Sequence, residues 1–269
     1  MTNQSEPGVA TTGVLRSAQR LLTRKGRSLS GRFLVEGRQA VREALGVPGL
    51  VERVLVVDTA AHADLLADAP EVFTTTPDQM RRLSDTVTPQ GIVAVCRDVP
   101  VSLSQIVTPR LVVICAAVRD PGNAGTVIRC ADAFGADAVI LTTDSVELHN
   151  PKTIRASVGS IFHLPVINNI TADDAVAWCR EQGLQVLAAD GGGRPLTDVA
   201  DRLSRPTAWL MGNEAWGLPA EHSALADVIV GVPMWGRAES LNLSTAAAIC
   251  LYESAAAQNH SSAASSPER

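Results

Sequence analysis

The 269 residues are 46% hydrophobic and carry a net charge of −5, enough for one large domain or two ordinary ones. No apolar run approaches the roughly 18 residues of a membrane span. The opening "MTNQSEPGVATTG" lacks the apolar stretch of a signal peptide, so a cytoplasmic protein without a membrane partner is expected.

The five cysteines, Cys96, Cys115, Cys130, Cys179 and Cys250, form no CxxC pair and have no His at zinc-ligand spacing. Neither a metal nor a disulfide framework is expected. Net charge argues weakly against a nucleic-acid partner, but it hides an asymmetry. Between Val14 and Arg42 stand eight Arg or Lys and one acid, Glu36. A basic segment of this kind binds a polyanion locally, or is simply a solvated helix face.

Taken in order, residues 1–13 read as a disordered tail. "VLRSAQRLLTRKG" has the apolar spacing of one amphipathic helix, and "GRQAVREAL" reads as a second, closed by Gly46 and Pro48. Strand "VERVLVVD", helix "AAHADLLAD", strand "EVFTTT", helix "PDQMRRLSD" and strand "GIVAVCR" complete an α/β unit over 14–97. Residues 98–109 read as a linker. The second unit, 110–257, opens with "RLVVICAAV", an apolar β-branched run without alternation, as in strands buried on both faces. Helices and strands then alternate through "TVIRCADAFG", "AVILTT", "PKTIRASVGSIF", "LPVIN", "ADDAVAWCREQG", "QVLAAD", "TAWLMG" and "DVIVGVPM" to a closing Ala-rich helix. That order predicts an open, mainly parallel α/β sheet. Residues 258–269 read as a disordered Ser-rich tail.

Open parallel sheets bind ligands beyond the carboxyl ends of their strands. Three post-strand loops carry unusual residues there. In "RDPGNAGTVIRCADAFG", Asn123 stands where a helix cap belongs, and Arg129 follows among apolar neighbours. In "LMGNEAWGL", Glu214 sits at the mouth of a buried strand, where a carboxylate is hydrated, paired or functional; Arg129 is a candidate partner. "VPMWGRAESLNLSTAAAICLYE" crowds Glu239, Ser240, Asn242 and Ser244 before a core helix, whereas a helix cap needs only one of them. There is no GxxxxGK[ST] and no GxSxG, and "DGGGRP" lacks dinucleotide-loop spacing.

Together these three stretches resemble the signature motifs of the SpoU branch of the SPOUT RNA methyltransferases, which transfer a methyl group from S-adenosylmethionine to ribose 2′-hydroxyls. "RFLVEGRQAVREAL" and "VTPQGIVAV" resemble the accessory RNA-binding domain of the rRNA-directed members, which is similar to a small ribosomal protein. The resemblance implies a deep trefoil knot in the C-terminal parallel sheet, a smaller N-terminal α/β RNA-binding domain, and a homodimer through the C-terminal domain. It implies that Arg129, Asn123, Glu214, Ser240 and Asn242 serve catalysis, and that Met211, Gly212, Val232, Met234 and Leu241 form the S-adenosylmethionine pocket. "LNLS" replaces the commoner "LNVS", an apolar exchange.

Under that reading Arg129 orients the ribose or its phosphate and stabilises the developing alkoxide. It is a poor general base because a guanidinium stays protonated. Arg16, Arg20, Arg24, Lys25, Arg27 and Arg32 become an RNA-facing surface, while 3% aromatic content leaves few stacking platforms. An enzyme acting on 23S rRNA is the leading expectation. A tRNA 2′-O-methyltransferase, a non-catalytic RNA-binding or ribosome-assembly factor and a nucleotide-dependent metabolic enzyme are the alternatives.

Overall fold

The structure, a computed structural model, describes residues 6–213 and 216–264. The chain divides into two units: residues up to Pro100 together with Glu147–His163, and Val101–Val146 together with the chain from Leu164 onward. The segment Glu147–His163, expected in the second unit from its sequence position, therefore belongs with the first.

The first unit begins with β1 (Gly8–Val9), α1 (Thr12–Arg20), α2 (Arg24–Ser30), β2 (Arg32–Glu36) and α3 (Arg38–Leu45). It continues with β3 (Val51–Val56), α4 (Ala63–Leu66), β4 (Val72–Thr74), α5 (Pro77–Arg81) and β5 (Ile92–Arg97). Its five-stranded sheet runs β1-β4-β3-β5-β2. The expected tail is thus structured from Gly8, because β1 pairs with the edge of β4. The expected single first helix is two. The Thr23 hydroxyl accepts from the Gly26 amide at 3.1 Å and starts α2 afresh. A β-carbon at Gly26 would fall 2.6 Å from the Arg20 carbonyl carbon, so the corner between the helices needs glycine. Gly31, at φ +60°, closes α2 in the left-handed conformation. Strand β2 follows, a strand that the apolar pattern of "RFLVE" does not reveal. Ala18 and Leu21 pack against Leu34, Leu55, Met80 and Val93 to form the core.

The second unit comprises β6 (Leu111–Cys115), α6 (Pro121–Ala133), β7 (Ala138–Thr142), β8 (Val166–Ile170) and α8 (Ala172–Glu181), with α7 (Pro151–Ser157) lying in the excursion that joins the first unit. Then come β9 (Gln185–Pro195), α9 (Ala200–Leu203), β10 (Thr207–Met211), α10 (Ala220–Ser223), β11 (Val228–Gly231) and α11 (Leu243–Ala264). The six strands are all parallel, in the order β11-β9-β10-β6-β7-β8. Every residue of β6, β7 and β10 is buried, as their unbroken apolar runs require.

From β11 at one edge the chain returns across the sheet, and α11 packs on α6, β10 and β6. Two buried polar contacts fix that return. The Trp209 indole N–H donates to the Ser254 hydroxyl at 2.9 Å, and the Gln258 amide donates to the carbonyls of Arg110 and Arg205 at 3.1 and 2.9 Å. The expected C-terminal tail is therefore helix through Ala264. Among the described residues no helix is long and apolar enough to cross a membrane.

Arg27 corrects an expectation about the basic segment. Its guanidinium is only 6% exposed, donates to both carboxylate oxygens of Glu147 at 2.7 and 2.5 Å, and donates to the Leu21 carbonyl at 2.8 Å. It closes the α1–α2 corner, with its donors turned to Glu147 and Leu21. Breaking a buried pair strands the remaining charge, so Arg27→Ala should cost about 3–5 kcal/mol. Arg24→Ala, at an exposed position, should stay within about 0.5 kcal/mol of the parent. Thermal and urea unfolding of the two variants check this contrast.

His149 stacks on Phe33 with ring centroids 3.9 Å apart. Burial lowers its pKa below the ordinary 6.5; nearby Asp98 and Glu147 oppose that shift and Arg27 reinforces it. The fold therefore favours the neutral ring. This stabilisation is complete above the unfolded-state value of about 6.5 and is lost as pH falls toward the lower folded-state value. Unfolding curves from pH 7.5 to 5 should show that loss, and His149→Gln should flatten it.

Candidate functional site

The site is built at the carboxyl ends of β9, β10 and β11. Strand β10 ends at Met211, and at the next residue, Gly212, a β-carbon would fall 2.5 Å from the Gly217 carbonyl oxygen. Only glycine lets the following turn fold back so closely. That turn is closed by paired amide–carbonyl bonds between Asn213 and Gly217, at 2.8 and 2.9 Å. The buried Asn213 side chain donates to the Ala117 carbonyl at 2.7 Å, tying the turn to the loop after β6. Ala117 itself holds a φ of +54°, a conformation costly for a residue with a β-carbon.

Strand β9 supplies the second wall. It pairs with β10 through Gln185–Ala189 and with β11 through Leu187, Ala188, Arg194 and Pro195. The residues between are displaced from the ladder. A β-carbon at Gly193 would fall 2.5 Å from the Ile229 carbonyl carbon, and one at Gly231 would fall 3.0 Å from the Asp190 carbonyl oxygen. The run "DGGGRP", which has no dinucleotide-loop spacing, therefore permits a close crossing of β9 and β11.

The third wall is the segment after β11. Asn242 precedes α11 and caps it, its carbonyl oxygen accepting from the Ser244 amide at 2.9 Å and from the Ser244 hydroxyl at 2.6 Å. The Asn242 amide N–H donates to the Asn123 side-chain oxygen at 3.0 Å. Asn123 is not itself the cap of α6. Asp120 is, its carboxylate accepting from the Asn123 amide at 2.9 Å. The helix starts two residues before Asn123, and the Asn123 side chain bridges to Asn242.

These walls enclose a cavity of about 260 Å³. Met211, Gly212, Val232, Met234 and Leu241 all line it, together with Ser240. Ala189, Asp190, Gly191, Asn213 and Glu239 line it as well; sequence reasoning misses them as cavity residues, although the triple glycine after a buried strand is an available signal. Its lining joins apolar side chains to exposed backbone and to two carboxylates, Asp190 and Glu239. That chemistry suits a flat heterocycle attached to cationic groups.

Asn123, Asn242 and Arg129 do not line the cavity. Arg129 stands six residues beyond Asn123 in α6, about 9 Å along the axis and about 240° around it. It is exposed, and among the described residues no ion pair holds its guanidinium. Glu214 lies outside the described residues. Burial pushes the thiols of Cys179 and Cys250 up to about 12, which leaves them as packing groups. Among the described residues no cluster of three or more His, Cys, Asp or Glu is placed to hold a metal ion.

A parallel sheet whose cavity is walled by one strand and two post-strand segments, the last one capping a helix that returns across the sheet, defines an α/β domain of the nucleotide-cofactor-binding class. The chain belongs to the SpoU rRNA methylase family, whose profile matches residues 110–252. A second profile, the MRM3-like substrate binding domain, matches residues 14–94. The chain is 37% identical to the 23S rRNA (guanosine(2553)-2′-O)-methyltransferase RlmP of Bacillus subtilis (strain 168), over 87% of this chain and 92% of that protein. It is 31% identical to the 23S rRNA (uridine(2479)-2′-O)-methyltransferase of Streptomyces viridochromogenes, over 86% and 84%. Among solved structures, the SpoU methyltransferase AviRb of Streptomyces viridochromogenes in complex with AdoMet superposes with a TM-score of 0.82 at 29% identity, covering 91% of this chain and 98% of that one.

The two roles of Asn242 are separable. Asn242→Ala removes both the cap and the bridge to Asn123 and should lower stability by about 1 kcal/mol. Asn242→Ser keeps a capping oxygen and should recover most of that loss without restoring the bridge. Comparison of the two midpoints in urea checks the assignment.

Proposed function

We propose that this protein is an S-adenosylmethionine-dependent methyltransferase that modifies a ribose 2′-hydroxyl of 23S rRNA. The observation that carries this reading is the cavity lined by Met211, Gly212, Val232, Met234 and Leu241, walled by strand β9 and by the segments that follow β10 and β11. Two relatives that span both of its domains are 23S rRNA enzymes, which favours rRNA over tRNA. The crossing from β11 to α11 is read as the threaded segment of a trefoil knot. Work on ribosomal RNA implies the cytoplasm.

The cavity fits the cofactor. Val230, Val232, Leu241 and Ala246 offer an apolar bed for an adenine, and Gly191 and Gly212 leave backbone open to hydrogen bonding. Asp190 and Glu239 favour a ligand carrying ammonium and sulfonium charges. When bound, S-adenosylmethionine supplies an electrophilic methyl carbon. The chain must then bring a ribose hydroxyl to it and stabilise the oxygen as its proton leaves. Ser240 stands at the cavity and Asn242 beside it, both able to hydrogen-bond the sugar. The Asn123–Asn242 bond keeps the third wall registered on α6.

Arg129 supplies the permanent positive charge for the alkoxide or its neighbouring phosphate. Because it lies outside the cavity of its own chain, it acts in a homodimer, where the exposed face of α6 and α11 meets a second copy. Glu214 positions the arginine. RNA is held chiefly by the exposed Arg16, Arg20, Arg24 and Lys25. Arg27 is committed to Glu147, and Arg32 is tied to Glu52 at 2.5 Å, which raises its pKa through that hydrogen bond and its charge.

Arg129→Ala should lower methyl transfer at least about 100-fold while calorimetric binding of S-adenosylmethionine persists. Sedimentation should show a species of two 28.3 kDa chains. Turnover unchanged in Arg129→Ala removes the arginine from the mechanism, and a monomeric active enzyme removes the dimer. Replacing Arg16, Arg20, Arg24 and Lys25 by Ala should weaken RNA binding at low salt. It should also flatten the plot of log affinity against log salt by about 3 units, from about 0.7–0.9 for each phosphate no longer neutralised.

A further inference from the structure

The chain has only nine aromatic residues beyond histidine, four of them Trp. Trp209 is fully buried, yet Trp235 is 90% exposed and Trp216 is 55% exposed. Tryptophan is ordinarily among the most enclosed side chains, so an indole almost wholly in water is the informative exception. Both exposed indoles stand at one place. Trp235 directly follows Met234, and Trp216 directly precedes Gly217; Met234 and Gly217 both line the cavity. Arg119, on the loop after β6, places its guanidinium carbon 5.1 Å from the Trp216 ring centroid. That cation–π contact gives the indole a fixed pose. Arg237, two residues past Trp235, is exposed as well.

Resting on the function proposed above, we infer that Trp235 is a positioning residue that stacks on an unpaired nucleobase of the RNA substrate, with the Arg119–Trp216 pair forming a second stacking and cationic surface on the same rim. A ribose inside a helix is held by the stacking of its own base. To bring a 2′-hydroxyl to a recessed cavity, that base or its neighbour must leave the stack, and a surface indole at the mouth offers it a new face to stack on. Nucleobases of every kind offer a flat π-face, so this contact sets affinity and sugar orientation and leaves base identity to other groups. The cationic neighbours favour a phosphodiester strand over an apolar protein surface as the occupant.

The test uses the full-length chain with saturating S-adenosylmethionine and an in vitro transcript of 23S rRNA. Trp235→Ala and Trp235→Leu should raise KM for RNA about 10–100-fold, the range of one base–aromatic stack. Trp235→Phe should recover most of the loss, and calorimetric cofactor binding should be equal in all variants. A KM within about twofold of wild type in Trp235→Ala, or a Leu variant as good as Phe, overturns the stacking role. So does a change in sedimentation of Trp235→Ala, which assigns the indole to an interface between copies.

A readout independent of turnover separates this inference from the enzyme reading. In a Trp216→Phe background, a short single-stranded RNA should quench the emission component that disappears in Trp216→Phe/Trp235→Phe. Quenching without methyl transfer sinks the enzyme reading and keeps the RNA contact. Methyl transfer by wild type without quenching sinks the contact alone.

Discussion

The site depends on one close approach, the packing of the Gly217–Leu218 backbone onto the Cα of Gly212. Any side chain at residue 212 would collide with the Gly217 carbonyl. With glycine there, the turn closes through Asn213, and the buried Asn213 amide reaches the Ala117 carbonyl. That amide has few ways to be satisfied away from water, so the bond holds two post-strand loops in fixed relation. The left-handed Ala117 is part of the same constraint, a local strain kept because its neighbours specify it. Cavity and loops are thus a consequence of backbone packing, and most of the lining needs no particular side-chain chemistry.

A second constraint links the two ends of the catalytic domain. Asn242 caps α11 with its oxygen and holds Asn123 with its nitrogen. One amide thereby starts the returning helix and ties it to α6. Farther along, Trp209 with Ser254 and Gln258 with two carbonyls fasten the same helix to β10 and to the loops at the opposite end of the sheet. Every polar contact in this series is buried or at a helix terminus, where an unmet donor or acceptor is costly. The helix is Ala-rich and nearly featureless in amphipathic pattern, so these few polar atoms decide its register.

The basic N-terminal segment shows how charge counting and charge availability diverge. Spacing alone groups six cations as one RNA-facing surface. Arg27 is buried on Glu147, and Arg32 is drawn to Glu52. Among the described residues, the exposed cations of that group outside any ion pair are those of α1 and the start of α2, while Arg32 is exposed but paired. The grouping fails where it does because a residue at position 27 sits on the inner face of a helix whose existence the apolar pattern conceals. Thr23 and Gly26 are the legible signals for that break: a capping hydroxyl followed by a residue without a side chain.

The sequence alone determined the strand-rich parallel unit, its separation from a smaller α/β unit, and the three loops that carry polar residues. These are local properties: unbroken β-branched runs, glycine at strand ends and amide or hydroxyl groups ahead of a helix all act within a few residues. The tertiary structure alone decided which of those residues meet. Asn123 and Asn242 lie 119 residues apart and share a hydrogen bond. Asp190 joins the cavity because the β9 backbone leaves the ladder there and crosses close to β11 through the glycines that follow. Arg129 stands outside the cavity because six helical residues carry it to another face. Contacts of this kind depend on the path of the backbone between distant segments, and residue spacing in the chain does not encode that path.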